Sequence, residues 1–135
     1  MTTSALNNDV TTMEQFVSRM RAGDLPGVLE LVAPEAVWYE ADSLPWCGEW
    51  RGPDGFAQLV GAINTPAELT LEDYAVVEAG DLVEVRINVV FTSRTSGRRL
   101  PMEVVEHYTV RDGKVYGANV FYKDTQAVNE LVKNG

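Results

Sequence analysis

Between Leu69 and Tyr122 the chain alternates apolar and polar residues over four consecutive stretches, and this run most narrows what it can fold into. Leu69 to Glu78, Leu82 to Thr92, Leu100 to Val110 and Val115 to Tyr122 carry the period of two expected of half-buried strands. Gly80-Asp81, Ser96-Gly97 and Asp112-Gly113 fall at the joints, which predicts an antiparallel meander. Ahead of it the period is helical. Thr12 followed by Gln15 fits a capping box, Met13, Phe16, Val17 and Met20 recur at helical spacing, and Gly23 supplies a stop. Asp24 can cap a second short helix with Pro26 in its first turn, Val28, Leu29, Leu31 and Val32 as its apolar face, and Pro34 as its end. Ala36 to Glu40 suits a strand, Ala41 to Gly52 a loop, and Phe56, Leu59, Val60 and Ile63 a third helix between Pro53 and Pro66. Thr125 to Val132 predicts a last short helix. Helices first and strands afterwards predict an α+β fold, with helices packed on one face of a curved sheet. At 135 residues the chain is one domain, 1–135, with residues 1–10 expected to be loose.

The composition narrows the partners. Eleven Lys and Arg against twenty Asp and Glu give a formal charge of −9, which repels phosphate backbones and anionic lipid. Nucleic acid and membrane surfaces are therefore not expected partners. One cysteine, Cys47, allows no internal disulfide, and one histidine, His107, cannot build a His-rich metal site. No signal peptide or membrane span is visible, so a cytoplasmic protein is expected.

The strand pattern breaks at one informative place. On the third meander strand, Leu100, Met102, Val104, Glu106, Tyr108 and Val110 share a face that is apolar throughout except for Glu106. A carboxyl group in such a setting resists ionisation, and a neutral acid can donate a hydrogen bond to a developing oxyanion. The competing expectation is a register slip or bulge that lets Glu106 reach water or a cation such as Arg86. On the preceding strand Val83, Val85, Ile87, Val89 and Phe91 form the apolar face, and Arg86, Asn88 and His107 fall on the outer side. In the earlier strand Trp38 and Glu40 point one way, Val37 and Tyr39 the other. Glu40, at the strand end and beside Asp42, is a candidate general base.

Arg21-Ala22-Gly23-Asp24-Leu25, Leu31 to Glu40, the loop Leu44-Pro45-Trp46-Cys47-Gly48-Glu49-Trp50-Arg51-Gly52 and the late pair from Glu106 to Val115 together resemble ketosteroid isomerases and SnoaL-like polyketide cyclases of the nuclear transport factor two-like superfamily. The resemblance runs from about Met13 to Asp124. It implies a cone-shaped α+β barrel, its N-terminal helices packed in a strongly curved, mixed but mainly antiparallel sheet. It also implies a small hydrophobic molecule held in the cone and a homodimer formed through the outer sheet face. Counted from Gly23, Glu40 lies where the isomerase has its general base; counted from Pro45, Tyr39 does, and Asp42 remains a rival. Glu106 lies where the isomerase has its protonated oxyanion-hole acid. Phe16 lies where it has a tyrosine, so that hydroxyl is missing, with Tyr39, Tyr108 or Tyr122 as possible substitutes.

The catalytic candidates are thus Glu40, Glu106, Asp42 and Tyr39. An inward Glu106 predicts a pocket of Met102, Val104, Tyr108, Ala118, Val120 and Tyr122, with Phe16 and Met20 as one wall and Trp46 and Trp50 at the mouth. The resulting expectation is an isomerase, cyclase or dehydratase acting on a polyketide-, terpenoid- or steroid-like molecule by acid–base proton transfer, without metal or organic cofactor. A non-catalytic carrier of a small hydrophobic ligand is the alternative. Hydrolysis of the limonene epoxide type is disfavoured, because its Asp-Arg-Asp positions fall near Ile87 or Arg86, Val89 or Asn88, and Val120 here.

Overall fold

A computed structural model describes the backbone of residues 2–135 and the side chains of residues 8–135. In chain order it contains α1 (Thr2–Arg21), α2 (Leu25–Leu29), β1 (Val32–Glu40), β2 (Gly48–Arg51), α3 (Gly52–Asn64), β3 (Ala67–Ala79), β4 (Leu82–Ser93), β5 (Arg99–Arg111), β6 (Lys114–Tyr122) and α4 (Thr125–Asn134). The six strands form one mixed sheet in the order β2-β1-β6-β5-β4-β3, antiparallel throughout except where β1 runs parallel to β6. The sheet curves around α1 and α3 without closing, giving the α+β cone predicted from the sequence.

The meander forms over the expected residues, each strand reaching one to three residues further than the alternation shows. The N-terminal third differs more. The helix expected to start at Thr12 begins at Thr2, so Thr12 is not a cap. Thr12 is buried within the helix and donates its hydroxyl to the Asn8 carbonyl at 3.0 Å, the back-bonding a mid-helix threonine adopts. Asp24 does cap the second helix, accepting from Gly27 N at 3.0 Å. That helix stops at Leu29, and Pro34 sits inside β1 rather than ending the helix. The tryptophan-bearing loop contains a short edge strand, β2, whose Trp50 pairs with Trp38.

The alternation expected of the long strands holds inside the cone. Val83, Val85, Val89 and Phe91 of β4, and Met102, Val104, Tyr108 and Val110 of β5, are buried. On β3 the inward set shifts at Glu72, where a bulge lets two residues oppose one; Leu69 and Leu71 face the core before it, Tyr74 and Val76 after it. Over these faces Phe16, Trp38, Phe56 and Tyr108 pack as an aromatic cluster, with ring centroids 4.4 Å apart for Trp38–Phe56 and 5.6 Å for Phe16–Tyr108.

Gly117 is indispensable to the parallel pairing. Its φ is +112°, and a Cβ there would collide with the Val37 carbonyl oxygen on β1. Gly113 also has positive φ, +74°, but opens to empty space. Urea unfolding should therefore show Gly117→Ala destabilised by about 3 kcal/mol or more and Gly113→Ala by only about 1 kcal/mol. Equal effects would refute the close approach of β1 and β6.

Candidate active site

The strand register brings the two acids of the inner face together. Glu106 pairs with Val120 on one side and Val85 on the other. Tyr39 pairs with Asn119, so Glu40 stands one step on, beside Val120. The two glutamates thus flank the same residue of β6, with backbone positions about 10 Å apart across two strand spacings. The preceding inward row is Trp38, Ala118 and Tyr108.

Each carboxyl is supported by a tyrosine, and each tyrosine by a tryptophan. Trp46 donates its indole N–H to the Tyr122 hydroxyl at 3.1 Å, and Tyr122 donates to Glu40 Oε1 at 3.1 Å. Trp38 donates to the Tyr108 hydroxyl at 3.3 Å, and Tyr108 interacts with Glu106 by a side-chain hydrogen bond. Trp38, Trp46 and Tyr108 are each buried.

Burial dominates the electrostatics. Removal from water raises Glu40 to about 7, against the lowering influence of its hydrogen bonds with Tyr122 and Trp46. Glu106 is raised further, to about 8, first by loss of solvent and then by the charge of Glu40, with Tyr108 pulling the other way. The hydroxyls of Tyr108 and Tyr122 are likewise held above the ordinary phenol range, chiefly by burial.

Both acids open onto a cavity of about 560 Å³, so side chains do not fill the cone. Its walls include Phe16, Met20, Val104, Tyr108, Val120 and Tyr122. The remaining residues expected in the pocket lie elsewhere. Trp46 is not at the mouth: it is 2% exposed, stacked on Phe91 and turned toward Tyr122. Trp50 donates to the Trp46 carbonyl at 3.0 Å from the edge strand and stays outside the cavity. Ala118 is covered, because its methyl lies between the larger Trp38 and Tyr108 in one row. Met102 lies further along β5 and opens on a separate shallow groove beside Ala127.

Two catalytic candidates also fall away from the cavity. Tyr39 is on the outer sheet face, 44% exposed, and Asp42 is exposed in the following loop. His107, on the outer side as expected, faces Glu84 of β4 at 3.3 Å; Arg86 binds that same glutamate. Sequence reasoning missed Trp38 as part of the site. Its place two residues before Glu40 on the same strand face was the available signal. The true mouth, formed by exposed residues such as Arg21, Gly23, Glu68, Thr70 and Arg94, was also missed. Ile87, Val89 and Val120 are apolar cavity-wall residues at the positions considered for epoxide hydrolysis. Among the described residues no three of His, Cys, Asp and Glu converge on a point where a metal could sit, and no helix is long and apolar enough to cross a membrane.

A curved sheet wrapped around helices is the nuclear transport factor two-like fold. Within it the chain belongs to the SnoaL-like family, whose domain model matches residues 13–118. Solved structures share the fold. A Burkholderia pseudomallei NTF2-like protein of unknown function is 22% identical, with 93% of this chain and 98% of that one covered and a TM-score of 0.82. TerC, co-crystallised with polyporic acid, is 23% identical, with coverage of 94% and 99% and a TM-score of 0.82. A candidate polyketide cyclase from Xanthomonas campestris is 18% identical, with coverage of 94% and 98% and a TM-score of 0.79. No curated protein matches the chain.

The raised acids have a thermodynamic signature. Folded Glu40 and Glu106 keep their protons above the ordinary value of 4.5, so between about pH 4.5 and 8 the folded chain binds more protons than the unfolded one. Their contribution is complete below that window and declines as pH rises through it, by up to about 1.4 kcal/mol per pH unit for each acid. Melting curves of wild type and Glu40→Gln/Glu106→Gln should therefore diverge with rising pH, the variant gaining relative stability toward pH 8.5. Parallel curves would mean that the acids titrate normally.

Proposed function

We propose that the protein is an acid–base enzyme that moves a proton beside the carbonyl group of a small hydrophobic molecule of polyketide, terpenoid or steroid type. Isomerisation, cyclisation and dehydration all begin with that step. The observation that carries this reading is the pair of carboxyls, Glu40 buried and Glu106 half-buried, flanking Val120 on one cavity wall. Glu40, which ionises first, removes the proton; Glu106, still neutral, donates a hydrogen bond to the oxygen on which charge develops. Tyr122 is a positioning residue for Glu40, and Tyr108 for Glu106. Phe16 offers no hydroxyl, so Glu106 carries the oxyanion role without the second donor that the isomerases have. Likeness to TerC and to a candidate polyketide cyclase supports this substrate class.

The chemistry is tested without knowing the natural substrate. Exchange of α-protons for deuterium in hydrophobic cyclic ketones such as 2-tetralone, followed by NMR, reads the proposed step directly. The exchange rate should rise with pH through about 7 as Glu40 ionises and fall through about 8 as Glu106 does. Glu40→Gln should lose about 10²- to 10⁴-fold. Glu106→Gln keeps a donor, so it should lose less and lack the alkaline fall, while Glu106→Ala should lose about 10²- to 10³-fold. Wild-type turnover in both glutamine variants would overturn the assignment and favour a carrier.

We also infer a homodimer through the outer sheet face. Phe121 and Tyr39 are its large exposed apolar side chains, 54% and 44% exposed, in a chain whose charge disfavours random association. Sedimentation velocity should show a dimer for wild type and a monomer for Phe121→Lys; a monomeric wild type would refute it.

A further inference from the structure

We propose that Arg21 and Arg94 form an anion-recognition site at the cavity mouth, so that the molecule bound has an apolar body and a carboxylate left at the rim. This deepens the reading above and rests on the cavity being a ligand site.

Arg19, Arg51, Arg86, Arg98, Arg99 and Lys123 all pair with carboxylates, as expected in so acidic a chain. Among the described residues Arg21, Arg94, Arg111, Lys114 and Lys133 pair with no carboxylate, and of these five Arg21 and Arg94 border the cavity. Each is instead fixed by a backbone carbonyl. Arg21 Nη2 donates to the Glu72 carbonyl at 2.7 Å, and Arg94 Nε donates to the Asn64 carbonyl at 2.7 Å.

Both anchors come from local backbone geometry. Glu72 is the bulged residue of β3, so its carbonyl lies at the break in the ladder, and its carboxylate is turned to Arg99 at 3.8 Å. Asn64 ends α3, where helix carbonyls lack intrahelical partners and carry partial negative charge. A neutral carbonyl orients a guanidinium without cancelling its charge. Each guanidinium has five N–H donors in a planar fork suited to a carboxylate.

The mouth is not wholly cationic, since Glu68 also borders it, but Glu68 neutralises neither arginine. Arg21 and Arg94 are exposed where Glu40 is buried and Glu106 half-buried, so the arginines border the rim and the acids the inner wall. A ligand therefore enters with its reacting end toward the acids and its anionic end at the rim.

Matched ligands differing only in charge test this. Calorimetric binding of 1-naphthaleneacetate and 1-naphthaleneacetamide should show wild type preferring the carboxylate about tenfold, with the preference shrinking at 300 mM salt. Arg21→Gln/Arg94→Gln should abolish the preference while leaving amide affinity within twofold, so that a folding defect is recognised by loss of the amide. Glu40→Gln and Glu106→Gln should keep the preference. No preference in wild type, a preference that survives the double arginine substitution, or failure of both compounds to bind would overturn the proposal. A wild type that prefers the carboxylate but exchanges no ketone protons would overturn the acid–base reading and leave this one standing.

Discussion

The structure depends on holding two carboxyl groups, Glu40 buried and Glu106 half-buried, in the wall of a largely apolar cavity. Such burial costs several kcal/mol unless hydrogen bonds compensate. Here the compensation comes from two short chains of donors, Trp46 to Tyr122 to Glu40 and Trp38 to Tyr108 to Glu106. An indole can only donate, so it occupies the phenol oxygen and commits the phenol proton to the carboxyl. The acid's own proton then remains as the group it can offer to a ligand. Trp46 acts through Tyr122 from outside the cavity, whereas Trp38 both holds Tyr108 and lines the cavity wall.

Much of the fold was legible because strands and helices differ in period. The four meander strands, the Asp24 cap and the helix after Pro53 followed from spacing and turn residues alone. What failed had local causes. Thr12 and Gln15 match a capping box, but nothing in that pattern distinguishes a first turn from a middle one. Pro34 looked like a helix end because proline breaks helices; the chain had already left the helix at Leu29. The strand β2 was hidden in four residues, Gly48–Arg51, that begin with one glycine and are followed by another.

The site was legible by parity and illegible by distance. Alternation put Glu106 on an inner face and Glu40 on the same face as Trp38, because a strand's period of two is nearly invariant. It could not say how far along each face the cavity extends, and so Met102 and Ala118 were misplaced among its walls. Tryptophans in a loop suggested a mouth because large aromatic rings cover ligands. Trp46 turns inward because its N–H has a buried partner in Tyr122, a contact between residues 76 positions apart that no local pattern encodes. The rim arginines depend on a bulge and a helix end, which are likewise invisible to periodicity.

The division of labour between the acids follows from their unequal surroundings. Glu40 is raised to about 7 and Glu106 to about 8, the latter carrying the added effect of the Glu40 charge. Glu40 therefore gives up its proton first. Its new negative charge then acts on Glu106 across Val120 and makes that acid harder to ionise. Ionising Glu40 thus strengthens the hold of its neighbour on the proton, so the two protonation states that the proposed reaction requires would arise together. A ligand that displaces water from the cavity lowers the local dielectric and sharpens this coupling, provided its own charge stays at the rim and away from the pair.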